Sequence, residues 1–247
     1  MTLIVSLLIA IALALVHLFA VRLHFWETIP RRGLLSAAGG ATVAYVFLDL
    51  LPRLSASGSL IREINLPLLN YLEHHAYIAA LLGLVLFYGL ERYAKVSRRA
   101  RQRDGYEDVT SPAVFWTHIA FYGLYYAAIG YLLDYEEVRG AAGLVLFVIA
   151  IGLHFLVIDH ALREDHKGSY DQYGRWILAA SLLAGWGIAV ATDIHRGYPA
   201  ILFAFVAGAI ILIALKEELP PERQSSFWAF VLGALGYTVL LLATWPM

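Results

Sequence analysis

Two histidines lie within long apolar runs of this chain. One run reads His118-Ile-Ala-Phe-Tyr122-Gly123 and the other His154-Phe-Leu-Val-Ile158-Asp159-His160. Ionisable groups inside a bilayer are costly, so such residues point to function before structure. The chain has no cysteine, which excludes disulfides and thiolate metal sites. Imidazole, carboxylate and phenol oxygen remain, and they suit divalent first-row metals. Tyr122 follows His118 by one helical turn and shares its face. Asp159 stands five residues after His154, further round the helix, and His160 begins the interface. His118, Tyr122, His154 and Asp159 are therefore the candidate metal ligands. His118 lies about 9 Å into its helix from Pro112, at 1.5 Å per residue. His154 lies at similar depth on the next, antiparallel helix. The same pair has two other readings: imidazoles hydrogen-bonded across helices, or axial ligands of a b-type haem.

Other polar residues have weaker claims. Asp49 and Glu217 stand near helix ends, as solvated residues or as gate and path residues together with His160. His17 reads as a satisfied polar residue of the first helix. Glu73, His74 and His75 form an outer cluster, with His195 on another outer loop. His160, Glu164, Asp165, His166 and Asp171 read as a charged inner connector that could also receive a metal. Tyr122, Tyr125, Tyr126 and Tyr131 make one helix unusually aromatic, as packing and interface placement would explain.

The elements that must position these residues are membrane helices. Of 247 residues, 60% are hydrophobic and 15% charged, against about 45–50% and about 25% in soluble chains. Apolar segments near the ~20-residue spanning length recur throughout. Eight are expected: Thr2–Val21, Leu34–Leu51, Ala76–Tyr93, Pro112–Leu133, Gly140–Ala161, Tyr173–Thr192, Pro199–Leu215 and Ser226–Trp245. The first segment has no Lys or Arg before it, unlike a secretory leader, and reads as a retained helix. With the N-terminus outside, inner loops hold 14 of the 18 Lys and Arg residues and outer loops 4. That bias places both termini outside, with the run Lys95–Arg103 as a topology anchor.

Two of the segments share a pattern. Gly40-Ala opens one, Asp49 lies nine residues on, and Leu-Leu-Pro52 closes it. Gly208-Ala opens the other, Glu217 lies nine residues on, and Glu218-Leu-Pro220 closes it. The two run in opposite directions, as in the inverted repeats of transporters.

With these features the chain resembles the ZIP (zinc/iron-regulated transporter-like) family of divalent-metal transporters. The resemblance rests on His118 and Gly123, on His154, and on the two acidic Leu-Pro helix ends. It covers the eight-helix plan. It implies one transmembrane domain, an inverted repeat of helices 1–3 and 6–8, and a metal path between helices four and five. Tyr122 and Ile158 stand where the family has glutamates, and both motif prolines are absent. What remains implies at most a mononuclear site.

The expectation is an all-α integral membrane protein that carries zinc or a similar divalent cation by alternating access. Its partners are the lipid bilayer and the metal ion; a second copy of the chain is a further candidate, nucleic acid is not. A bacterial or archaeal inner or plasma membrane is the expected location. The competing expectations are a transport-inactive or repurposed relative and the haem protein. No nucleophile motif, phosphate loop or paired-carboxylate signature is present, so an enzyme is not expected.

Overall fold

The computed structural model describes residues 3–19, 31–64, 75–105, 109–133, 140–216 and 226–244. Among them every regular element is helical, and eight helices follow one another. They are α1 (Leu3–Phe19), α2, α3 (His75–Arg103), α4 (Pro112–Leu132), α5 (Gly140–His166), α6 (Tyr170–Ala191), α7 (Gly197–Lys216) and α8 (Phe227–Thr244). α2 is composite: Arg31–Tyr45, a π-helical turn Val46–Leu50, and Leu51–Arg62 run on as one helix. α3, α5, α6 and α7 are long and apolar enough to cross a membrane. Outward faces are apolar as well: Leu81, Leu82 and Val85 on α3, and Leu232, Leu235 and Val239 on α8. Such surfaces suit lipid rather than water. The chain thus has the make-up of a multi-pass membrane protein.

Three helices run well past their expected ends: the second, the third and the fifth, which continues beyond Ala161 to His166. The second helix does not stop at Leu51 but passes through Pro52 to Arg62. Proline lacks an N–H and its ring crowds the carbonyl four residues back. Here the preceding turn widens, so that the Leu51 N–H reaches back to the carbonyl of Val46. A π-bulge of this kind absorbs the proline without ending the helix. The third helix likewise continues past Tyr93, so Lys95–Arg103 forms its last turns rather than a loop.

Packing falls into two groups. α2 pairs with α8 and α3 with α7, with α2 also lying on α7; α4 pairs with α6, and α1 packs on α6 and α5. The three main pairs share one device. A Cβ on Gly40 would collide with the carbonyl of Phe230, and one on Gly233 with that of Ala37. Gly83 and Gly208 stand against the carbonyls of Phe205 and Ala80, and Gly130 and Gly185 against those of Leu182 and Ala127. Small residues let helix backbones approach this closely, the usual glue where lipid removes the hydrophobic drive. Each pair is parallel. Eight residues beyond Gly83 and Gly208, Glu91 meets Lys216. Eleven residues before Gly130 and Gly185, Ile119 meets Gly174. Before Gly40 and Gly233, the Ser226 N–H donates to Ser36 Oγ.

Candidate functional site

α4 is the spine of the buried polar groups. Tyr122, Tyr125 and Tyr126 are each at most 2% exposed and lie on one face at positions i, i+3 and i+4. Each meets a different polar unit. They are core residues, and Tyr131 is buried too, so interface placement does not explain this run.

The first unit joins α3, α4, α5 and α7. The Tyr122 hydroxyl donates to Glu91 Oε1 at 2.8 Å, and the Lys216 ammonium donates to Oε2 at 2.7 Å. Glu91 is only 4% exposed, and these two donors meet its two carboxylate oxygens. Beside it, His118 Nε2 lies 2.8 Å from the carbonyl of Leu90. A carbonyl only accepts, so Nε2 carries the hydrogen. With a single ring hydrogen, on Nε2, His118 accepts at Nδ1 from His166 Nε2 at 3.1 Å. His166 in turn accepts at Nδ1 from Thr110 Oγ1 at 2.5 Å. One carbonyl thereby fixes the tautomers of two histidines and the direction of a three-bond chain. Next to it Arg98 donates to Asp165 at 3.0 Å.

This unit sits on the seam between the two helix groups. Glu91–Tyr122 and Leu90–His118 link α3 to α4, and Arg98–Asp165 links α3 to α5. The Lys216–Glu91 pair lies within the α3–α7 pair.

The second unit is small: the Tyr125 hydroxyl and His154 Nε2 stand 2.8 Å apart. The third joins α1, α5 and α6. His17 Nδ1 lies 2.8 and 3.0 Å from the two carboxylate oxygens of Asp159, and the Tyr170 hydroxyl donates to Oδ1 at 2.5 Å.

The four candidate ligands are thus divided. His118 and Tyr122 lie together, their ring centroids 5.8 Å apart. His154 and Asp159 belong to the second and third units, and the five-residue offset between them is the reason. Among the described residues no three His, Asp or Glu side chains stand where one ion would bind them together. Both nitrogens of His118 are engaged by protein groups.

Of the gate candidates, Asp49 lies in the π-helical turn and pairs with Arg53 at 3.2 Å. His160 is exposed. Glu217 lies outside the described residues, as do Glu73 and His74. His75 is buried in α3 and bonds to the carbonyl of Gly58 at 3.0 Å. His195 is exposed and accepts from the N–H of Gly197. Of the inner connector, Asp165 and His166 are buried members of α5 rather than loop residues.

Sequence reasoning missed Glu91 and Lys216, and placed His166 in the charged inner connector rather than beside His118. For Glu91 a signal existed. Ala80, Gly83, Phe87, Glu91 and Ala94 recur at helical spacing and are all buried, so the acid continues an inward stripe. Lys216 and His166 carry no such signal, because each stands at a helix end where a charge is ordinarily solvated.

No family model, no curated protein and no solved structure matches this chain.

Proposed function

We propose that the chain is a multi-pass membrane permease for a divalent cation, zinc or a similar ion. Its cargo site is Glu91 at the seam, with Tyr122 and His118 beside it. The observation that carries this reading is Glu91. It is a carboxylate buried among apolar helices and held at the boundary of two helix groups by the half-buried Lys216 ammonium. A buried charge of this kind is expensive and is kept for a purpose more often than for stability. It supplies the negative charge that the ZIP-like motifs lack at Tyr122 and Ile158. An arriving dication competes with the Lys216 ammonium for the same carboxylate, the Tyr122 oxygen replaces part of its hydration shell, and His118 Nδ1 joins only by giving up its bond from His166. Alternating access then amounts to one helix group moving against the other about the seam.

Eight crossings in one domain, with both termini outside, fit the three parallel helix pairs, since each pair is separated by an odd number of intervening helices. Kinship between the second and seventh helices is supported by Gly40 and Gly208. Each opens its repeated block and lies against a partner backbone.

A second reading, a repurposed bundle that carries no metal, is favoured by a specific observation. Each of His118, Tyr122, His154 and Asp159 already has a protein partner, and among the described residues no three His, Asp or Glu side chains converge. Thermal unfolding of the purified chain with zinc, manganese, iron or cobalt separates the two. A ligand that prefers the folded state raises Tm. The permease reading requires such a rise for at least one metal and its loss in Glu91→Gln. No rise with any of the four would favour the repurposed bundle.

A further inference from the structure

The outward face of α3 has chemistry that the cation site does not use. Ile78, Leu82, Val85 and Gly89 follow one another at steps of four and three residues, so they form one stripe along the helix. The same stripe continues as Arg92, Val96, Arg99 and Arg103. All of these positions are exposed. α3 is 29 residues long, about 43 Å at 1.5 Å per residue, against a hydrocarbon core of ~30 Å. Register fixes where the membrane edge falls. The Ser111 N–H donates to Ser97 Oγ and His118 Nε2 donates to the carbonyl of Leu90. α4 therefore runs antiparallel to α3, and Trp116 stands level with Arg92. Trp116 is exposed, and its ring lies 6.1 Å from that of Tyr173, exposed on α6. Tyr93 is exposed beside Arg92. Outward Trp and Tyr rings mark headgroup depth. Arg92 thus stands at the hydrocarbon edge, and Arg99 about 10 Å further out.

The charge balance points the same way. The stripe holds three arginines and no acid. Glu91 is buried against Lys216, and Glu164 and Asp165 of α5 meet Arg98 on another flank of the helix. Asp104 follows the last helical residue. We propose that this stripe of α3 binds an anionic phospholipid. An acyl chain lies along Leu82, Val85 and Gly89, where even a Cβ on the glycine would meet nothing within 4 Å. Arg92 and Arg99 meet the phosphate, and Arg103 adds positive potential beyond it. Guanidinium groups match phosphate oxygens in a two-pronged fork, and basic side chains at a membrane surface draw anionic headgroups. The stems of such side chains rest on apolar surface while the charged ends reach the interface. The continuity of the stripe selects the occupant. An acidic protein segment in water would meet the arginines alone, whereas a phospholipid meets the arginines and the apolar half together. The site does not depend on the metal reading.

The test titrates the purified full chain in detergent with phosphatidylglycerol and with phosphatidylcholine of the same acyl chains. Native mass spectrometry counts the bound lipid. Phosphatidylglycerol is expected to bind at least about tenfold more tightly, since each basic contact near a membrane surface contributes several-fold. Arg92→Gln combined with Arg99→Gln should bring the two lipids close to equal. Arg62→Gln should leave the preference in place, because the end of α2 lies beside the start of α3, at the opposite side of the bundle. Should the double variant not fold, Arg99→Gln alone must lower the preference. Equal binding of the two lipids by the unmodified chain overturns the proposal. So does a preference unchanged in the arginine variants, the result for residues that only set topology. Loss of the preference in inorganic phosphate, but not in chloride of equal ionic strength, would assign the arginines to a free phosphate. Tighter binding of poly-glutamate than of phosphatidylglycerol would assign them to an acidic protein segment. Either result also overturns it.

Discussion

Lys216 and Glu91, 125 residues apart in the chain, meet at 2.7 Å, the acid buried and the base at a helix end. The contact is set by helix register. Gly83 and Gly208 bring α3 and α7 into backbone contact, and eight residues further along both helices the acid and the base face each other. Lys216 retains some exposure whereas Glu91 has almost none, so the two ends of the pair are unequal.

That inequality predicts different costs. Lys216→Met leaves a buried carboxylate with only the Tyr122 hydroxyl, and it should destabilise the chain by about 2–4 kcal/mol, near the range for a broken buried pair. Glu91→Gln keeps an acceptor for Tyr122 and frees an ammonium that can turn to water, so about 1–2 kcal/mol is expected. Chemical unfolding of the chain in detergent measures both. Equal costs would mean that the pair is solvated.

The tyrosines of α4 separate in the same way. Tyr122→Phe removes a donor from Glu91 and should cost about 1–3 kcal/mol. Tyr126→Phe removes a hydroxyl that has no partner among the described residues and should be neutral or stabilising. Thermal unfolding of the two variants side by side decides it. A loss at Tyr126→Phe as large as that at Tyr122→Phe would show that its hydroxyl is bonded.

The glycine pairs predict steric costs. Gly83→Ala, Gly130→Ala or Gly233→Ala each pushes a methyl into a neighbouring backbone carbonyl, at about 1–3 kcal/mol for overpacking. Gly236→Ala in α8 meets open space, and should stabilise by up to about 1 kcal/mol. Unfolding midpoints of these four variants check the contrast.

The histidine chain predicts tautomers. His118 and His166 should both carry hydrogen on Nε2 rather than Nδ1. Thr110→Val should perturb His166 first, because it removes the hydroxyl that bonds Nδ1. Nitrogen-15 NMR of the labelled chain reads both. An Nδ1–H form of His118 would contradict the bond to Leu90.

The helices were legible in the sequence because apolar runs of spanning length are a one-dimensional signal. Pro52 misled, since the compensating π-turn at Val46–Leu50 leaves no mark in the residue pattern. The polar pairings were legible only where they are local. Tyr122 one turn after His118 was visible from spacing. The partner of Asp159 is His17, 142 residues earlier, and the partner of Glu91 is on the seventh helix. Such contacts depend on which helices pair and in what register, and here glycines set that register. A glycine signals that something comes close, not what does.

The central claim is that Glu91 binds a divalent cation in transit. Zinc uptake into proteoliposomes containing the full chain tests it most directly, with Glu91→Gln and His118→Ala variants shown to be folded by circular dichroism. The account predicts uptake above empty liposomes for the unmodified chain and a fall of about tenfold or more in Glu91→Gln, the loss of one charged ligand worth at least ~1.4 kcal/mol. Uptake by Glu91→Gln equal to that of the unmodified chain, or none by the unmodified chain, would contradict it.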